Sequence, residues 1–191
     1  MTDAVAPSSD RLPGDSGVWT FIVADLGAFA VFFLLFAVGR AEAPQLYEQS
    51  RQHLNVTFGL INTLILLTSS LTMVHAVRAA KAGKSARVVR YLVLTVLIGS
   101  GFAVIKAIEY SDKIRAGVTL VTNEFYTYYF AFTGIHLLHF CVGIGALLFT
   151  IGKARKSRMA GPFTTWIEAV GTYWHMVDLL WIMLFPVIYL L

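Results

Sequence analysis

The chain has 191 residues, of which 57% are hydrophobic and only 14% charged, with a formal net charge of +4. A soluble domain carries roughly 25% charged residues, so this composition, with a mean hydropathy of +0.69, excludes an ordinary water-soluble fold and points to lipid as the solvent. The single cysteine, Cys141, and the lack of any CxxC exclude an intrachain disulfide and a thiolate metal ribbon.

Residues 1–16 hold three aspartates and one arginine among Pro and Ser, without a basic leading segment. They read as a short disordered cytoplasmic tail and not as a secretory signal. Residues 17–191 then form one domain. Crossing a bilayer takes about 20 mostly apolar residues, and five stretches qualify, at about residues 17–38, 54–80, 89–110, 124–151 and 165–190. Backbone in hydrocarbon must satisfy its own hydrogen bonds, so each is a helix. The expected fold is all-α, a polytopic membrane bundle of five transmembrane helices. The connections are short and carry Pro44, Gly83, Gly117 and Gly161-Pro162, so consecutive helices are antiparallel neighbours.

Charge placement gives the orientation. One side collects Arg11, Arg78, Lys81, Lys84, Arg87, Arg90, Lys153, Arg155, Lys156 and Arg158; the other holds Arg40, Arg51, Lys113 and Arg115. The positive-inside rule puts the N-terminus in the cytoplasm and the C-terminus outside. These basic loops set topology and attract anionic headgroups. No aromatic stacking residues are interleaved with them, so nucleic acid is not an expected partner.

Along the chain, the first span carries Phe29, Phe32, Phe33 and Phe36, which read as a stripe facing lipid or a partner. The aromatics Phe125, Tyr126, Tyr128, Tyr129 and Phe130 open the fourth span where an interfacial belt belongs. Gly99, Ser100, Gly101, Gly143 and Gly145 permit close helix contact.

Ionisable groups at membrane depth are costly and mark function or helix pairing. Here they are Asp25, His75, Lys106, Glu109, His136, His139, Glu168, His175 and Asp178. Asp25, His75 and Glu168 fall toward one end and could share a layer. Glu109 and Lys106 sit toward the other end, level with Asn62. His136 and His139 are three residues apart, as are His175 and Asp178, so each pair lies on one helix face. Three readings stay open. The four central residues could ligate a metal or haem, which would make the chain a stand-alone membrane metalloenzyme. Asp25, His75 and Glu168 could form a proton or ion relay. Or the set could pair helix to helix, each contact contributing about 0.6–2 kcal/mol; this last reading is preferred for most of the residues. A small transporter is disfavoured, because five helices give no pseudo-symmetric halves.

The motifs also carry a family resemblance. Tyr173-Trp174-His175-Met176-Val177-Asp178-Leu179-Leu180-Trp181-Ile182-Met183-Leu184-Phe185 resembles the last helix of cytochrome c oxidase subunit III, with Glu168 in place seven residues before the histidine. Thr133-Gly134-Ile135-His136-Leu137-Leu138-His139 is similar to its TGxHxxH segment, and Ala107-Ile108-Glu109-Tyr110 to its ASEY-type segment. Asn62-Thr63 with Ser69-Ser70, and Phe21 to Asp25, match earlier helices in order. The mitochondrial-type subunit has seven helices and this chain matches the last five; five-helix members do occur in bacteria. The acid of the first matched helix is usually Glu and is Asp25 here. The resemblance implies a non-catalytic subunit without its own haem, copper or other metal. It would dock beside the haem- and copper-bearing subunit I, with subunit II in the same complex, in a bacterial cytoplasmic membrane. It would bind phospholipid, stabilise subunit I and support proton uptake. Asp25 and Glu168 would be the proton-related or buried acids, while Asn62, His75, Glu109, His136, His139, His175 and Asp178 would form a structural polar network. An accessory protein of nitric oxide reductase is the alternative within the family.

Overall fold

The computed structural model describes residues 16–156 and 161–191. The expected N-terminal tail, with Arg11, and the basic residue Arg158 lie outside the described residues. Among those described, the chain is helical, with no strand: α1 Ser16–Glu42, α2 Pro44–Gln52, α3 Val56–Lys81, α4 Ser85–Arg115, α5 Glu124–Lys156, α6 Gly161–Phe185, then a π-helical turn Pro186–Leu190. Five of these are long and apolar enough to cross a membrane.

The helix ends follow local chemistry. Asn55 caps α3 by accepting a hydrogen bond from the Phe58 amide at 3.2 Å. Gly83 and Gly117 close α3 and α4 at φ +68° and +76°, a left-handed geometry that glycine enters without a Cβ penalty. Those two turns set the reversals between α3, α4 and α5. The first connection was expected to be irregular around Pro44. It is instead the nine-residue helix α2, because proline is well placed in a first helical turn and Tyr47 and Ser50, three apart, bury one face.

Helices α3 to α6 form the bundle, each packed on two of the others, while α1 lies against α5 and α6. Close approach depends on small residues. A Cβ at Gly99 or Gly143 would come within 3.0 or 2.9 Å of the Trp174 ring, so two neighbouring helices are both tight on this fully buried indole. Ser69 Oγ donates to the Thr95 carbonyl at 2.9 Å, and Thr72 and Thr95 hydroxyls meet at 2.8 Å, joining α3 to α4. Gly145, by contrast, has open space around it and is no contact point.

Two sequence expectations are corrected. The α1 phenylalanines do not form an outward stripe. Phe29 and Phe36 are buried, and Phe32 and Phe33 pack on Phe132 of α5. The outward face of α1 is Val23, Val31, Leu34, Leu35 and Val38. Likewise Phe125, Tyr126 and Tyr129 are buried under α2, α1 and the C-terminal turn and do not form an exposed belt. Here the flat rings fill the gaps between helices.

Candidate functional site: polar pairs inside the bundle

The most buried charges are Lys106 and Glu109, 1% and 3% exposed, one turn apart on α4. Lys106 Nζ donates to Glu109 Oε2 at 2.9 Å and to the Tyr189 hydroxyl at 2.7 Å. Tyr189 in turn donates to Glu109, 2.7 Å from Oε1. The ammonium also sits 5.0 Å and 5.1 Å from the Trp181 and Tyr129 ring centres, where the ring quadrupole favours a cation. Each charge therefore has an opposite charge and a hydroxyl, and the ammonium has aromatic faces as well. Without them the pair could not be held inside the bundle, since desolvating an ion costs several kcal/mol.

The second pair joins α1 to α5. Asp25 Oδ1 lies 3.3 Å from His139 Nε2, and both side chains are nearly buried. His139 Nδ1 lies 3.0 Å from the Ile135 carbonyl. A carbonyl only accepts, so Nδ1 carries a hydrogen. The contact from Nε2 to the carboxyl is then attractive only if a proton lies on one side or the other. The two groups lie at ion-pair distance and join α1 to α5, while Asp25 Oδ2 has no hydrogen-bond partner among the described residues. A cavity of about 560 Å³ lies beside the pair, lined by Gly17, Val18, Phe21, Leu138, His139, Val142 and Tyr173.

The remaining residues are distributed along the helices. Glu168 accepts an ion pair from Lys81 at 2.7 Å, joining α6 to the end of α3. His175 Nδ1 meets the Ser70 hydroxyl at 2.6 Å, a second α3–α6 link. His75 stacks on Tyr91 of α4. His136 is fully buried between Phe102 and Trp181, its ring centres 5.2 Å and 5.4 Å from theirs, and neither nitrogen has a hydrogen-bond partner among the described residues. Asp178 has Ser70 as a polar neighbour, yet neither of its oxygens receives a hydrogen bond of ordinary geometry. Asn62 is buried with both amide atoms unpaired.

The sequence grouping is therefore corrected in three places. His136, His139, His175 and Asp178 do not all converge: the first is wrapped in rings, the second turns to α1, and the last two face Ser70 of α3. Among the described residues no three His, Cys, Asp or Glu side chains come close enough to hold a metal. Three-residue spacing puts two side chains on one face, but it does not say which neighbour that face meets. Asp25, His75 and Glu168 are not joined into a relay; each has a partner on a different helix. The expected single network is a series of separate helix-to-helix contacts. Sequence reasoning missed Tyr189 and Ser70. Ser70 lay in a motif without a role, and Tyr189 gave no signal, because a tyrosine near a span end is ordinary.

The sequence profile described as cytochrome c oxidase subunit III matches residues 15–191, which covers every span and every pair above. The chain belongs to the cytochrome c oxidase subunit III family. Cytochrome c oxidase subunit 3 of Corynebacterium diphtheriae is 33% identical over 175 residues, covering 91% of this chain and 85% of that protein. A probable cytochrome c oxidase subunit 3 of Mycobacterium leprae is 31% identical over 173 residues, with the same coverage of each. Quinol oxidase subunit 3 of Bacillus spizizenii is 28% identical over 181 residues, covering 92% and 85%. The subunit III motifs also gain a physical role. Trp174 and Trp181 of the last-helix motif are fully buried, and the Trp181 indole donates to the Thr63 hydroxyl at 3.0 Å, tying that motif to the Asn62-Thr63 motif of α3. As a subunit III of the haem-copper oxidase family, the chain is a multi-pass membrane protein.

Proposed function

We propose that this chain is a non-catalytic subunit of a haem-copper terminal oxidase, with its N-terminus in the cytoplasm of a bacterium. It packs beside the haem- and copper-bearing subunit I, in a complex with subunit II, and binds membrane phospholipid. The observation that carries the reading is that several ionisable side chains in the spans are paired within this chain, while no convergent ligand set forms among the described residues. The pairs are Lys106 with Glu109 and Tyr189, Asp25 with His139, and Lys81 with Glu168. Subunits that stabilise a larger neighbour need this kind of bracing and no cofactor pocket of their own. The relatives are named as subunits of cytochrome c and quinol oxidases, which favours an oxidase over a nitric oxide reductase setting. Their bacterial sources support the cytoplasmic membrane.

Within that complex Asp25 supports proton uptake. Its support is the contact of Asp25 with His139, which itself lines a cavity between α1, α5 and α6. The test is purification of the complex through a tag on this chain. The expected result is a coloured assembly whose haem and copper travel with a larger subunit. A tagged chain that migrates alone, or that keeps haem or stoichiometric metal after separation, overturns the proposal.

A further inference from the structure

The loop that joins α4 to α5, residues 116–123, carries apolar side chains beyond the ends of the spans. Val121 is 85% exposed and Leu120 48%, and Ile114, just before the loop, is 62% exposed. The loop backbone is tied from within. The Val118 amide donates to the Lys113 carbonyl at 2.9 Å, and the Thr122 amide to the Thr119 carbonyl at 3.1 Å. The Thr119 amide donates to Thr122 Oγ1 at 2.8 Å, and Thr127 Oγ1 of α5 donates to the Leu120 carbonyl at 2.7 Å. Leu120 and Val121 are thus held outward by a fixed backbone.

Their height places them past the lipid. The exposed side chains on α4 are apolar at Leu97, Val104 and Ile108 and polar at Ser111, Asp112 and Arg115, so the hydrocarbon ends near Ile108. Arg115 lies seven residues further, about 10 Å along the helix. On α5, Thr133 is level with Tyr110, their hydroxyls 2.6 Å apart, and Glu124 lies nine residues further out, about 13 Å. Headgroups occupy about 5–8 Å on each side of the hydrocarbon, so both helices carry the loop into water. The charge there is unbalanced: Lys113 and Arg115 face one carboxylate on the same turn, Asp112. Lys113 is engaged with the His53 carbonyl. Arg115 is exposed and has no carboxylate within ion-pair distance among the described residues.

We propose that residues 114–121 are a docking surface for a protein segment outside the membrane, on the side opposite the N-terminus. Leu120 and Val121 enter an apolar depression of that segment, Ile114 flanks them, and Arg115 pairs with a carboxylate at its edge. Apolar side chains grouped together in water mark a protein contact, and an apolar centre with a charged rim is how such contacts are built. A loop already fixed by its own hydrogen bonds loses little freedom on binding. The partner is a neighbouring subunit of the complex, apolar at the contact and acidic beside it. The proposal rests on the reading of this chain as a subunit of a larger assembly and names a surface beyond the bilayer where a neighbour meets it.

The test puts a photoreactive phenylalanine analogue in place of Val121 in the full chain, irradiates native membranes, and identifies what is joined to it by mass spectrometry. At 85% exposure this position tolerates the larger ring. The expected product joins position 121 to an extramembrane segment of a co-purifying subunit, with an Asp or Glu near the attachment point. Arg115→Glu is expected to lower the yield about fivefold, equivalent to about 1 kcal/mol, whereas Arg115→Lys keeps it. Attachment to lipid alone overturns the proposal and would place the loop among headgroups. Attachment to a second copy of this chain, or to no protein at all, also overturns it, as does an unchanged yield with Arg115→Glu. Co-purification of the haem-bearing subunit with the same variants is scored in parallel. A complex that assembles but gives no protein product at position 121 counts against this surface alone, whereas a chain that purifies by itself counts against the subunit assignment.

Discussion

At the scale of single residues, two buried or nearly buried ionisable pairs, Lys106–Glu109 and Asp25–His139, lend themselves to separate tests. Lys106 and Glu109 brace. Removing one partner of a buried ion pair strands the other, at a cost of about 3–5 kcal/mol. Glu109→Ala should therefore lower the unfolding midpoint of the purified chain in mild detergent, while Lys106→Met with Glu109→Leu should recover most of the loss. A double variant as unstable as the single one would show that packing, and not stranded charge, was responsible. Asp25 contacts His139 and, in the proposed function, supports proton uptake, so Asp25→Asn should leave assembly intact and shorten sustained turnover of the oxidase before inactivation. Unchanged proton pumping and inactivation rates would remove any role for that acid. These residues were legible in the sequence as costly groups in an apolar run. Their partners were not, because periodicity gives the face of a helix and leaves open the neighbour it meets. His139 shows this: its spacing to His136 suggested a joint site, yet it turns to α1 while His136 stays among rings.

At the scale of elements, the long spans were readable and the short ones were not. Hydropathy finds stretches of about 20 residues, whereas α2 has nine and a polar outer face. Yet α2 positions the end of the chain: Arg51 reaches the Tyr189 carbonyl at 3.4 Å, and Lys113 of α4 donates to the His53 carbonyl just after α2. Glu48 accepts from Arg51 at 2.6 and 3.1 Å and from Gln52 at 3.0 Å. These bonds, that to Arg51 first, hold its carboxyl below the usual carboxylate range, and Glu48 raises the Arg51 guanidinium in return. A lowered folded pKa gives stability that is present above the unfolded value and lost as pH falls through the folded one. Amide-exchange protection of α2 should thus drop as pH is taken below about 4, and the Glu48→Gln variant should lack that step. An identical pH profile in both would assign the acid loosening to another group. The π-helical turn brings Tyr189 inward to the Lys106–Glu109 pair. Deleting residues 189–191 should destabilise the chain nearly as much as Glu109→Ala does, and a deletion without effect on the unfolding midpoint would refute the bracing role of that turn.

At the scale of the whole molecule, the five-span architecture followed from composition, and the family from ordered motifs on its helices. The packing order did not. Gly99 and Gly143 were visible as small residues, but their common contact, Trp174, lies on a third helix. Replacing Gly143 by Leu should drive the indole out of place and block assembly, whereas Gly145→Leu, at a position with open space, should be tolerated. Several buried polar side chains link helices here, and α1 and α3 carry exposed apolar side chains on their outward faces. The most direct measurement is to strip this chain from the purified oxidase with detergent and to assay haem, copper and absorbance in both fractions. The account predicts a colourless, metal-free chain and a remainder that keeps all its haem and copper and still turns over, but inactivates sooner. Haem or stoichiometric copper leaving with the chain would contradict it.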